Sequence, residues 1–174
     1  MNIEIKRWDN SEIIICGEYE SVKDCLERNK DKSFYRADLR SADLSSADLR
    51  SAKGINKYLT TPLYSMLDQV GIIRAYKLVN GKNEGVYNGG LKYIVGETVE
   101  ELNAETNEFK DCGAGINLAT LDWCIREWQK GYKILIAEFT KDDIACIPVG
   151  SDGKFRVFRC NIFGEKNLKD IGLE

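Results

Sequence analysis

Ala37-Asp38-Leu39-Arg40-Ser41, Ala42-Asp43-Leu44-Ser45-Ser46 and Ala47-Asp48-Leu49-Arg50-Ser51 are three consecutive pentads with Ala-Asp-Leu in the same places. A period of five matches neither the 3.6 residues of a helical turn nor the two-residue alternation of a strand. A right-handed solenoid of square section accommodates it. Each pentad forms one side, its leucine points to the axis, its alanine tucks inside at the corner, and Asp and Arg stay outside. Phe34 occupies the leucine place one register earlier, and Ala52 and Ile55 trail after the last pentad. The expected repeat core is therefore Phe34, Leu39, Leu44 and Leu49. Residues 34–55 amount to little more than one coil. Repeat units need stacked neighbours for stability, so this coil must lean on a cap and on the chain that follows.

These pentads closely resemble the pentapeptide-repeat family, and the preceding residues resemble the N-terminal cap of its phage-type members. Ile3 and Ile5 alternate with Glu4 and Lys6, and a turn at Asp9-Asn10-Ser11 leads into Glu12–Tyr19, which predicts a hairpin. Ser21 is the expected N-cap of a helix from Val22 to about Lys30, with Asp24 in the capping-box place. Long members of that family are acidic rods that imitate duplex DNA. One coil rises only about 5 Å, and its alternating Asp and Arg leave it near neutral. DNA mimicry is therefore not expected, and a structural or spacer role is.

Downstream, residues 56–71 read as a helical connector, with Thr61 as N-cap, Pro62 at the first helical position and Gly71 as terminator. From Ile72 the pattern turns strand-rich. Strands are expected at Ile72–Val79, Leu91–Gly96, Tyr132–Phe139, Ile144–Val149 and Phe155–Phe163. A helix over Leu121–Gln129, capped by Thr120, interrupts them, and Asp152-Gly153 is the last hairpin turn. The organisation is thus a cap and coil over 1–55, a connector over 56–71, and an α+β domain of mostly antiparallel strands over 72–174.

Charged residues make up 30% and hydrophobic residues 43% of the 174, the balance of a folded protein. A net charge of −3 gives no general attraction to nucleic acid or anionic membrane. No apolar run approaches the roughly 20 residues of a membrane span, and the charged, alternating N-terminus does not read as a signal peptide. The six cysteines lack any Cys-x-x-Cys pairing, and several fall in apolar runs. They read as reduced, mostly buried thiols, which places the protein in a cytoplasm. Histidine is absent, which removes Ser-His-Asp and Cys-His catalysis and nearly all transition-metal sites. No catalytic residue, metal or cofactor is expected.

The remaining candidates for chemistry are cations and aromatics. Gly113-x-Gly115 ahead of the helix presents either backbone N–H groups to a phosphate or a tight strand-to-helix turn. In Lys154-Phe155-Arg156-Val157-Phe158-Arg159, alternation puts Lys154, Arg156 and Phe158 on one face and Arg159 on the other. With Arg74, Lys77, Lys92 and Arg126 these form either a basic, aromatic-lined pocket for a nucleotide or a solvated sheet face. The expected ligand-binding set is Arg74, Tyr76, Lys92, Thr120, Trp123, Lys154, Arg156 and Arg159.

Three stretches, Cys112–Trp123, Asp143–Pro148 and Asp152–Cys160, resemble the C-terminal part of the T-even phage rapid-lysis B proteins. Those relatives often carry Gly-Leu-His where this chain has Gly115-Ile116-Asn117. The order of strand, glycine loop, helix and strand is also distantly similar to ADP-ribosyltransferase folds. The resemblances imply a non-catalytic phage or prophage protein in the bacterial host cytoplasm. It would bind a nucleotide-like molecule, in the sharpest version sequestering a host defence signal. An ADP-ribosyltransferase-like enzyme using Arg74, Tyr76, Thr120 and Glu165 is one alternative. A structural adaptor that binds a host protein or forms a homo-oligomer is another.

Overall fold

Residues 1–39, 42, 44, 54, 56–87 and 89–173 are described by the structure, a computed structural model, and Leu49 and Ile55 of the expected coil lie outside them. The chain divides into two units. One comprises Met1–Tyr64 with Glu108–Asp111 and Pro148–Asp152; the other comprises Ser65–Asn107, Cys112–Ile147 and Gly153–Glu174. Residues 56–71, read from sequence as a connector, are thus shared between the units, and two loops of the later chain belong to the first.

In the first unit, β1 (Asn2–Lys6) and β2 (Ile13–Glu18) pair as an antiparallel hairpin. Their alternation buries Ile3, Ile5 and Ile15. Cys16 follows the same alternation outward and is exposed. Helix α1 (Val22–Arg28) begins where the Ser21 hydroxyl accepts the Asp24 N–H at 3.1 Å. It stops short of Lys30 because Asn29 leaves helical geometry and donates from Nδ2 to the Cys25 carbonyl. Cys25 and Leu26 pack with the hairpin isoleucines and with Phe34, Ala37, Leu39, Leu44 and Val149 in one apolar cluster. The Ala37 N–H donates to the Phe34 carbonyl at 3.0 Å, and five residues on the Ala42 N–H donates to the Leu39 carbonyl at 3.1 Å. Gly150 sits against Leu44 with φ +75, and a Cβ there would come within 2.5 Å of the leucine. Both the conformation and the approach therefore require glycine at this place.

In the second unit, seven strands form one sheet, and every pairing between them is antiparallel. They are β3 (Ile73–Val79), β4 (Thr98–Glu100), β5 (Ile116–Ala119), β6 (Lys133–Phe139), β7 (Ile144–Cys146), β8 (Lys154–Val157) and β9 (Arg159–Glu165). Helix α2 (Leu121–Arg126) covers part of one face. The mixed, sheet-dominated α+β class holds.

The sheet order is β4-β9-β6-β3-β5-β8-β7. Phe158 alone separates β8 from β9, yet three strands stand between them in that order. Laid flat, four strand spacings would put them about 19 Å apart, whereas two residues of chain reach only about 7 Å. The sheet therefore curls until its ends meet. At the meeting point the Phe158 N–H donates to the Asp143 carbonyl and its carbonyl accepts the Glu101 N–H, both at 2.8 Å. The expected single strand Phe155–Phe163 is corrected accordingly: it bends at Phe158 into two strands of opposite ends of the sheet.

Other expectations are corrected as well. Leu91–Gly96 is a loop with one bridge, Lys92 to Glu84, because Gly90 and Gly96, with φ +107 and +89, turn the chain out of extended geometry at both ends. Pro62–Asp68 is a 3₁₀ helix. Strand β7 stops at Cys146, ahead of Pro148, which has no N–H to give a ladder. Ile116–Ala119 is a strand, where the sequence suggested only a turn into the helix.

Candidate ligand site

Strand alternation and register decide what fills the curled sheet. Ile73, Ala75, Lys77 and Val79 point to one side of β3, opposite Phe139, Ala137, Leu135 and Lys133 of β6. Leu118 and Ile116 of β5 face Phe155 and Val157 of β8 in the same way. The Phe139 and Phe155 rings lie 5.4 Å apart although β6 and β8 are not neighbours, so they touch across the interior. All of these positions are apolar and buried except Lys133, at the end of β6, and Lys77.

Lys77 is only 7% exposed. Its Nζ donates to the Asn117 carbonyl at 2.8 Å and stands 4.7 Å from the centre of the Tyr93 ring. Among the described residues no carboxylate pairs with it. Burial pulls its ammonium down to about 8, with the thiols of Cys160 and Cys124 acting weakly in the opposite direction. Those thiols are no counter-charge, because burial pushes both up to about 12. Burial likewise pushes the Tyr93 phenol up, so it too stays neutral at pH 7. Lys77 is therefore a cation stripped of most of its water and given a carbonyl and a ring face in exchange.

This amine opens on a cavity of about 430 Å³, walled by Tyr93, Glu101, Cys112, Gly113 and Gly115 among others. The volume suits a small ligand. The glycines serve packing. A Cβ on Gly113 would meet the Glu105 side chain at 2.7 Å, and one on Gly115, with φ +124, would meet Ala104 at 2.8 Å. Close apposition of loops 101–107 and 112–115 thus shapes the wall.

None of the eight residues expected to bind ligand lines this cavity. Arg156 lies directly behind it, fully buried, with its Nε donating to the Glu105 carbonyl at 2.9 Å and its Nη2 to the Asn107 carbonyl at 3.1 Å. Its expected role as an accessible phosphate grip is corrected: the guanidinium holds the wall loop in place. Arg74 is exposed, pairs with Glu138 through Nε and Nη2 at 2.8 and 2.7 Å, and stacks on Phe163. Arg159 bonds Asp143 at 3.0 Å beside a separate cleft of about 290 Å³. Lys92 is exposed.

The other four do gather, on the outer face around α2. Tyr76 and Trp123 belong to one apolar cluster, and the Lys154 ammonium stands 5.4 Å from the Trp123 ring centre. Thr120 precedes the helix with its Oγ1 buried and in no hydrogen bond of good geometry. That hydroxyl, ahead of Arg126, still holds the nearby Asp122 carboxyl below the usual range. This is a packed helix start, and Trp123 is part of a core. Arg74 and Glu165 do not converge. Arg74 lies opposite Glu138, which is level with Asn161, and Glu165 is four residues farther along β9, about 13 Å.

Sequence reasoning groups Lys77 with cations of either a ligand pocket or a solvated sheet face and leaves it out of the expected ligand-binding set. The signal that singles it out is its place in Ile73-x-Ala75-x-Lys77-x-Val79, where every second neighbour is apolar. Comparison with protein-family models, with curated proteins and with solved structures returns no match for the chain.

Proposed function

We propose that the protein is a non-catalytic binding protein whose second unit takes a small anionic, nucleotide-like ligand in the cavity that Lys77 helps to line. The observation that carries this reading is one buried lysine, without a carboxylate partner among the described residues, in the lining of an open cavity. An isolated buried charge is a standing cost to the fold, and a ligand anion removes it. The Tyr93 ring and the backbone of Gly113–Gly115 give such a ligand an apolar face and polar contacts. The resemblance to phage accessory proteins, which rests on sequence alone, supports sequestration of a host defence signal as the cellular use.

The same proposal gives residues 34–55 a structural role as one right-handed pentapeptide coil with Phe34, Leu39, Leu44 and Leu49 on its axis. Its support is the burial of Phe34, Leu39 and Leu44 in one cluster and the turn hydrogen bond that recurs after five residues.

Calorimetry of the whole protein against cyclic and linear nucleotides tests the binding reading. At least one should bind, and Lys77→Met should weaken it about ten- to a hundredfold, the worth of a charged hydrogen bond. If no nucleotide binds, or binding survives in Lys77→Met, the cavity is not an anion site and a protein partner takes its place.

A further inference from the structure

We propose that Lys77 captures its ligand covalently, as an imine with a phosphate-bearing aldehyde. The inference rests on the binding reading above for an anion in the cavity and goes beyond it by giving that anion a carbonyl in place of a nucleoside. Three features of the site carry it. Lys77 lines the cavity together with Tyr93, whose ring centre lies 4.7 Å from its Nζ. The bond from Nζ to the Asn117 carbonyl fixes the direction of the side chain, so the nucleophile is presented on a rigid strand. Finally, the Tyr93 phenol and the buried Cys124 and Cys160 thiols near it stay protonated.

Chemistry at such an amine is favoured by its surroundings. An amine titrating at about 8 is roughly 10% neutral at pH 7, where an ordinary lysine is well under 0.1% neutral. The neutral nitrogen attacks the carbonyl carbon, and the carbonyl π pair moves to oxygen. A proton passes from nitrogen to that oxygen, the proton that the ammonium released returns to the resulting hydroxyl, water leaves, and a protonated C=N bond remains. No electron is gained or lost, and water is the only leaving group. The protonated imine keeps the positive charge where the ammonium was, so the phosphate of the ligand retains its counter-charge.

The test compares glyceraldehyde 3-phosphate with glycerol 3-phosphate, which carries the same phosphate and no carbonyl. The protein is incubated with the aldehyde and cyanoborohydride, which reduces any imine to a stable amine, and is then weighed intact and mapped by peptide. The expected result is one adduct per chain on Lys77, formed at least tenfold faster than on any other lysine, with a rate that rises towards pH 8. Lys77→Arg keeps the charge and cannot form the imine, so it should bind glycerol 3-phosphate and give no adduct at this site. Adducts spread over surface lysines, while glycerol 3-phosphate still binds through Lys77, overturn the imine and leave anion binding standing. Neither adduct nor binding overturns both.

Discussion

Arg156 and Lys77 are both buried in the second unit, but their partners differ, and their substitutions should act in opposite directions. Arg156 donates to the carbonyls of Glu105 and Asn107, so Arg156→Ala leaves acceptors unmatched inside the protein. Chemical denaturation should show a loss of about 2–4 kcal/mol; a loss under about 0.5 kcal/mol would mean the guanidinium does not hold the loop. Lys77 titrates at about 8 when folded, below an unfolded lysine near 10.4. The unfolded chain therefore binds more protons between those values, and stability rises with pH across that window. Below pH 8 the full cost of about 3 kcal/mol is present. Lys77→Met removes it but forfeits one hydrogen bond, so at pH 7 it should stabilise the protein by about 1–3 kcal/mol. Destabilisation by Lys77→Met would contradict the unpaired charge. At this scale the sequence is a poor guide. Arg156 and Lys77 look like members of one basic face until the register shows that one lies under a loop and the other inside the sheet.

Short elements in this chain follow local signals, while their ends follow tertiary contacts. The β1–β2 hairpin and the Ser21 cap are legible because alternation and a capping hydroxyl act within a few residues. The division of Phe155–Phe163 at Phe158 is not legible, since Phe158 bends to meet Asp143 and Glu101, partners distant in sequence. The pentads lie between these cases. Their period foretells that Phe34, Leu39 and Leu44 share a core, and they do. Leu44→Ala should cost about 2–5 kcal/mol, as truncation of a buried leucine does. Leu49 extends the test to the coil itself. If the period continues, Leu49→Ala should cost as much, whereas Asp48→Ala should stay within about 0.5 kcal/mol. Equal, small effects at both positions would leave the pentads without a coil.

Taken as a whole, the molecule is acidic, with a net charge of −3, so no long-range field draws an anion to it. Recognition must come from the cavity, and its affinity should depend little on salt and strongly on the charge of Lys77. The most direct measurement follows the lysine side-chain methylene resonances of isotopically labelled protein against pH, with and without a phosphate-bearing nucleotide. One resonance, missing from Lys77→Met, should titrate near 8 in the free protein. Added ligand should shift it and raise its midpoint, because a bound anion favours the ammonium. A Lys77 resonance that titrates near 10.4, as a lysine in a model peptide does, and ignores the nucleotide, would contradict the account.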